Sequence, residues 1–196
     1  MKRVLKKLSF QREAKLLRVL DIFSGSGCIG IALLKNIKNC RMDFVDIDER
    51  AIKQIKINLK LNLPRTEPKV LVRGKIPKNR YRIYQSNIFE KLKNKKYNFI
   101  FANPPYVARE RLKEVQPSVL KYEPKIALFG GKNGLFYIKK FFKEAKNFLA
   151  GNGVIFLEFS PEQKEDIKEI LDKQGYRKYQ FFKDQFKKYR YLRCSQ

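Results

Sequence analysis

The sequence predicts an α/β fold: a mostly parallel seven-stranded sheet, helices on both faces, and an antiparallel hairpin at the C-terminal end. Three observations carry that expectation. Short apolar runs alternate along the chain with amphipathic stretches of helical period. The first apolar run leads directly into Ser24-Gly25-Ser26-Gly27 and then into a helical pattern, a strand–loop–helix unit suited to binding a nucleotide or phosphate. The run 99–102, apolar throughout as in a strand buried on both faces, stops at Asn103-Pro104-Pro105-Tyr106. Prolines lack the N–H that a central strand needs, so the chain must leave the sheet there.

Residues 1–17 are basic with scattered apolar positions and read as a short helix or arm, too short for a second domain. Residues 18–196 then form the single domain that this length predicts. The first strand covers 18–23 and the first helix 28–35. Gly25 and Gly27 let backbone approach a ligand, and the helix N-terminus favours a carboxylate or phosphate, although a purely structural turn fits the glycines equally well. The second strand, 41–46, ends in Asp46, placed to hold two ribose hydroxyls or to cap a helix. Asp48 caps the next helix, on which Ile52, Ile55 and Leu59 share a face opposite Lys53, Lys56 and Lys60.

Residues 63–79 hold Pro64, Pro68, Pro77 and Gly74 and read as an exposed insertion, with Val70-Leu71-Val72 as an edge strand. The third strand, 81–84, leads to Ser86-Asn87-Ile88-Phe89, which sets Asn87 and Ile88 beside an adenine. After the corner, 107–134 has little periodicity and reads as a flap over the site. A helix over 135–149 puts Leu135, Ile138, Phe142, Ala145 and Leu149 on its core face. Gly151-Asn152-Gly153 turns into a strand at 154–159, a helix over 161–174 stops at Gly175, and strands at 179–183 and 189–194 close the fold.

Composition narrows the chemistry. With 43% hydrophobic residues the chain has a core to bury. It shows no apolar run long enough to span a bilayer and no leader with a cleavage site, so a soluble, cytoplasmic monomer is expected. Cys28, Cys40 and Cys194 are odd in number and lack Cys-x-x-Cys spacing, which suggests neither a disulfide framework nor a zinc site. His is absent, so no imidazole base is available. Forty-five Lys and Arg against 19 Asp and Glu give a net charge of +26, which favours an acidic partner such as RNA or a ribonucleoprotein. The alternative is compositional, because the lysines are spread over every segment.

The corner has chemistry of its own. Its prolines fix φ, so its carbonyls point in set directions. Asn103 offers an amide oxygen, Pro104 a carbonyl oxygen and Tyr106 a flat ring, a set that can hold a planar –NH2 group. The plainer reading is a strand-to-loop turn.

These features together resemble the class I (Rossmann-like) S-adenosylmethionine-dependent methyltransferases. Asp21-Ile22-Phe23-Ser24-Gly25-Ser26-Gly27-Cys28-Ile29 is similar to their cofactor loop, and Asn103-Pro104-Pro105-Tyr106 to the signature of members that act on planar nitrogens. Tyr122-Glu123-Pro124, Ala127-Leu128, Gly130-Gly131, Gly134-Leu135 and the run Gly153-Val154-Ile155-Phe156-Leu157-Glu158 narrow the resemblance to the HemK/PrmC release factor glutamine methyltransferases. The resemblance implies S-adenosylmethionine as cofactor, S-adenosylhomocysteine as product and a release factor, free or on the ribosome, as partner, with rRNA contact through the basic surface. It assigns Asp21, Phe23, Ser24, Gly25, Ser26, Gly27, Asp46, Asn87, Ile88 and Asn103 to the cofactor, with Asp46 at the ribose and Asn87 and Ile88 at the adenine. It assigns Asn103, Pro104, Pro105 and Tyr106 to the substrate glutamine, with Asn103, Pro104 and Tyr106 catalytic. Phe23 stands where the family has Gly, and Asn87 where it has Asp. The family's N-terminal helical domain has no counterpart before residue 18, so a catalytic domain alone is expected. Two other readings stay open: an rRNA or DNA amino-group methyltransferase (adenine N6 or guanine N2), favoured by the charge, and a cofactor-binding subunit with little turnover of its own.

Overall fold

Strand β1 (Leu17–Ile22) lies inside the sheet, and its sequence shows why. Leu17, Val19, Leu20, Asp21 and Ile22 are all buried, so the strand reads as an apolar run interrupted by the exposed Arg18 and the buried Asp21. The computed structural model describes residues 16–62, 78–122 and 124–196. Most of the expected N-terminal arm and of the 63–79 insertion, including Val70-Leu71-Val72, lies outside the described residues, as does Glu123.

Helix α1 (Cys28–Asn36) follows the glycine loop, β2 (Cys40–Asp46) pairs parallel to β1, and α2 (Glu49–Asn62) returns the chain. Strand β3 (Tyr81–Gln85) adds outside β2, while β4 (Tyr97–Ala102) pairs with the opposite side of β1. Strand β5 (Leu149–Glu158), then β7 (Tyr189–Ser195) and β6 (Lys178–Lys183) extend the sheet beyond β4. The order is β3-β2-β1-β4-β5-β7-β6, and β7 runs opposite to the other six strands. The direction of strand addition reverses between β1 and β4, which opens a crevice at their carboxyl ends.

Two apolar layers cover the sheet. On one face Leu33, Leu34, Ile52, Ile55 and Leu59 pack with Val19, Met42 and Phe44. On the other, helices α5 (Phe136–Ala145) and α6 (Lys164–Lys173) bring Ile138, Phe142, Ile167 and Leu171 against Leu20, Ile22, Ile100 and Ile155. The face expected for α2 is the buried one, and Asp48 caps it by accepting the Arg50 N–H at 2.9 Å.

Several boundaries differ from the sequence reading. The helix expected over 135–149 ends at Ala145, passes through a 3-10 turn at Lys146–Phe148, and yields Leu149 to β5, where it pairs with Tyr97. Leu149 is buried in the same core as the helix, so its apolar character continued a helical pattern that the backbone had left. Residues 150–153 then bulge between the Tyr97–Leu149 and Phe99–Val154 pairs, so the expected turn lies within one strand. The helix expected from residue 161 opens as a 3-10 turn, Pro161–Gln163, capped by Ser160. Strand β1 stops at Ile22, leaving Phe23 outside it. Within 107–134 the chain forms short helical pieces, Arg109–Glu114, α3 (Pro117–Tyr122), α4 (Lys125–Leu128) and Lys132–Gly134, tied back by a bridge between Val107 and Phe129. No helix among the described residues is long and apolar enough to cross a membrane.

Candidate active site

A cleft of about 390 Å³, within the size range of small-molecule sites, opens at the carboxyl ends of β1, β2, β3 and β4. Phe23, Gly25, Ser26, Asp46, Asn87, Ile88, Asn103 and Pro105, all singled out from the sequence, line it. Asp21, Ser24 and Gly27 stand behind that wall, and Pro104 and Tyr106 are not among its lining residues.

The hidden residues hold the loop in shape. Ser24 Oγ lies 2.7 Å from the Asp21 carbonyl and accepts the Val45 N–H at 2.9 Å, stitching the ends of β1 and β2. Asp21 Oδ2 accepts the Gly30 N–H at 2.9 Å. Burial pushes the Asp21 carboxyl up to about 7; the Gly30 bond opposes the shift and the nearby Asp46 charge adds to it. Asp46 Oδ2 accepts the Gly25 N–H at 2.8 Å and Oδ1 the Asp48 N–H at 2.9 Å. Asp48 caps α2, so Asp46 is not that helix's cap: it fixes the glycine loop and keeps a lone pair on each oxygen for a ligand. Burial raises the Asp46 pKa, against backbone N–H bonds from Asp48, Gly25 and Ile47.

Two residues of the cleft wall carry backbone strain. Phe23 has φ 59° and Ile88 φ 50°, left-handed values that cost a residue with a Cβ roughly 1–2 kcal/mol. The Phe23 ring is held edge-on by Tyr137, with centroids 6.1 Å apart, and also meets Phe141. Phe therefore adopts the conformation that Gly would take freely. Asn87 Nδ2 donates to Glu90 Oε1 at 2.5 Å, which leaves its amide oxygen for the cleft.

The corner is clamped from behind. Asn103 is exposed, whereas Pro104 and Pro105 are buried and Tyr106 is half-buried. Gln163, 2% exposed, donates from Nε2 to the Tyr106 carbonyl at 3.0 Å and to the Asn133 carbonyl at 2.9 Å, while its Oε1 accepts the Ser160 N–H at 3.0 Å. Gly134, at φ 69°, lets the 131–134 turn lie against the same carbonyl: a Cβ there would come within 2.0 Å of Tyr106 O. The Tyr106 hydroxyl donates to Glu158 Oε1 at 3.4 Å, and burial, then the Glu158 charge, raises its pKa. Gln163 and Glu158 were not singled out as site residues from the sequence. The structure shows Gln163 closing a capping box with Ser160 at a helix start, and the same side chain doubles as the clamp. Pro124, Ile126, Ala127 and Tyr137 also line the cleft, so part of the expected flap does face it.

Two outcomes follow from this geometry. Asp21 has an ordinary pKa of 3.8 and a folded value of about 7, so the folded chain binds an extra proton between them and loses stability as pH rises through that window. Urea unfolding across it should show Asp21→Asn gaining on the parent as pH rises; parallel profiles would contradict the assignment. Gly134→Ala must displace either the turn or the Tyr106 carbonyl and should destabilise by about 1–3 kcal/mol. An unchanged urea midpoint would show that the clamp yields freely.

Comparison with known proteins agrees with this geometry. Residues 4–122 match the family model described as the methyltransferase small domain. A protein of Thermodesulfovibrio yellowstonii named release factor glutamine methyltransferase is 32% identical over 167 residues, covering 85% of this chain and 55% of that protein. A bifunctional methyltransferase of Rickettsia conorii is 36% identical over 170 residues, covering 87% of this chain and 30% of that protein. The chain thus spans from under a third to just over half the length of these curated relatives. The solved ribosomal protein L11 methylase of Lactobacillus delbrueckii subsp. bulgaricus superposes with a TM-score of 0.61 at 16% identity, covering 99% of this chain and 77% of that one, a likeness of fold. The chain belongs to the methyltransferase small domain family.

Proposed function

We propose that the chain transfers a methyl group from S-adenosylmethionine to the side-chain amide nitrogen of a glutamine in a peptide chain release factor, leaving S-adenosylhomocysteine. The observation that carries this reading is the shared wall. Asn103 and Pro105 of the amide-holding corner line the same cleft as Asp46 and Gly25. That cleft fits the cofactor: Asp46 keeps lone pairs for two hydroxyls, Gly25 has nothing within 4 Å of the place a Cβ would occupy, and Ile22, Val45 and Ile88 supply apolar walls for a base. The bound cofactor supplies a sulfonium-activated methyl group.

The protein's work is to present the nucleophile. An amide nitrogen shares its lone pair with its carbonyl, so it attacks only when well placed. Asn103 Oδ1 and the Pro104 carbonyl accept the two amide hydrogens and hold the nitrogen toward the cleft, with the Tyr106 ring against the amide plane. Such placement supplies roughly 7–11 kcal/mol of the barrier. The hydrogen bonds strengthen as the nitrogen gains positive character. The surplus proton leaves to water after transfer, so no imidazole is needed in a chain that has none. Support for the protein substrate comes from the Thermodesulfovibrio yellowstonii relative's name and from Pro124 and Ala127, part of the resemblance, lining the cleft. The +26 charge favours a second reading, a nucleic-acid amino group as acceptor.

Asn103→Ala should lower methyl transfer to release factor on the order of 10²–10³-fold while S-adenosylhomocysteine affinity stays within a few-fold. Equal turnover would remove Asn103 from the mechanism. Asp46→Ala should weaken S-adenosylhomocysteine binding by about 1.5–3 kcal/mol in calorimetry. Unaltered affinity would leave Asp46 with the glycine loop alone.

A further inference from the structure

A second hollow, about 420 Å³ and open to solvent, lies on the other side of the corner from the cleft. It is built from the end of β5 and the β6–β7 hairpin, with Glu158, Lys183, Asp184, Phe186 and Arg190 in its lining. Its junction with the corner follows from strand register. Ala102 pairs with Leu157, so Asn103, the first residue past β4, lies beside Glu158, the last residue of β5. The Tyr106 hydroxyl reaches across to Glu158. The corner therefore shows Asn103 and Pro105 to the cofactor cleft, while its tyrosine hydroxyl bonds to Glu158 in the wall of the hollow.

The charge of this hollow differs from that of the chain. In a protein of net charge +26, its lining balances Glu158 and Asp184 against Lys183 and Arg190. Arg190 Nε lies 3.7 Å from Asp184 Oδ2, and its charge also acts on Glu158. Lys187 and Lys188 of the same hairpin are exposed but outside the lining. A nucleic-acid strand brings a negative charge with every nucleotide and would meet two carboxylates here. A peptide main chain is neutral and presents N–H donors and C=O acceptors, which carboxylates and cations satisfy together. Phe186, 72% exposed, offers an apolar anchor on the rim. Its backbone is fixed beforehand, because Asp184 Oδ1 accepts the Phe186 N–H at 2.8 Å and the Lys188 N–H at 3.1 Å.

We propose that this hollow seats the peptide main chain flanking the methylated glutamine, with Phe186 as its anchor and Glu158 as the residue that positions Tyr106. This makes the hollow the part of the site that selects a protein amide over a nucleobase amine. The inference rests on the glutamine reading above and assigns its substrate-docking surface.

The test is steady-state methylation of full-length release factor and, separately, of ribosomal RNA, by the parent, Phe186→Ala, Phe186→Tyr and Glu158→Gln, with S-adenosylhomocysteine affinity measured for each. Phe186→Ala should raise KM for release factor about tenfold with kcat unchanged, as loss of an aromatic anchor does, and Phe186→Tyr should restore it. Glu158→Gln should lower kcat several-fold, and all four proteins should bind S-adenosylhomocysteine alike. A parent active on release factor, with KM and kcat unmoved in the Phe186→Ala and Glu158→Gln variants, overturns the docking surface alone. A parent that transfers only to RNA, or to neither acceptor, overturns the glutamine reading and this surface with it.

Discussion

The forced exit of β4 at Asn103 is the constraint on which the site depends. A parallel strand in the middle of a sheet needs a backbone N–H at every position, and Pro104 and Pro105 have none. The chain leaves at the switch point, where the crevice opens, and the two prolines limit the directions it can take. What remains free is the position of Tyr106, and Gln163 removes that freedom by donating to its carbonyl from the turn before α6. One buried amide thus links the corner, the Asn133 carbonyl and the Ser160 cap, all three of its hydrogen bonds pointing into the protein. Rigidity of this kind matters when the nucleophile is weak and catalysis rests on placement.

The cofactor side is organised around a second buried group. Asp46 holds the glycine loop through Gly25 while facing the cleft, and Asp21 ties the start of α1 to β1 from behind. Burial opposes the ionisation of both carboxyls, the Asp46 charge adds to the effect on Asp21, and the backbone N–H groups around them offset part of that cost. The strained conformations of Phe23 and Ile88 belong to the same wall. Strain is tolerated there because the rings of Tyr137 and Phe141 and the core beneath Ile88 fix both residues in place.

The inner strands were legible in the sequence because β1, β2, β4 and β5 are largely buried and each carries a short apolar run, such as Phe99-Ile100-Phe101-Ala102 in β4. The place of Asp46, Gly25 and Asn103 on the cleft wall was legible because such sheets open their crevices at the carboxyl ends of strands. Local pattern misled where tertiary packing took over: Leu149 continues the apolar face of α5 yet belongs to β5. Gln163 and Glu158 were beyond reach because they meet Tyr106 across separations of 57 and 52 residues, which no local spacing reports. The glycine pattern at 130–134 was visible as a resemblance, but its reason, the close approach to the Tyr106 carbonyl, required the fold.

The central claim is that the corner presents a protein amide nitrogen to the cofactor cleft. It is tested most directly by supplying S-adenosylmethionine with a labelled methyl group to the chain in the presence of release factor and ribosomal RNA together, then locating the label by mass spectrometry. The account predicts label on a glutamine side-chain nitrogen of the release factor. Label on a nucleobase amino group, with none on the release factor, would contradict it.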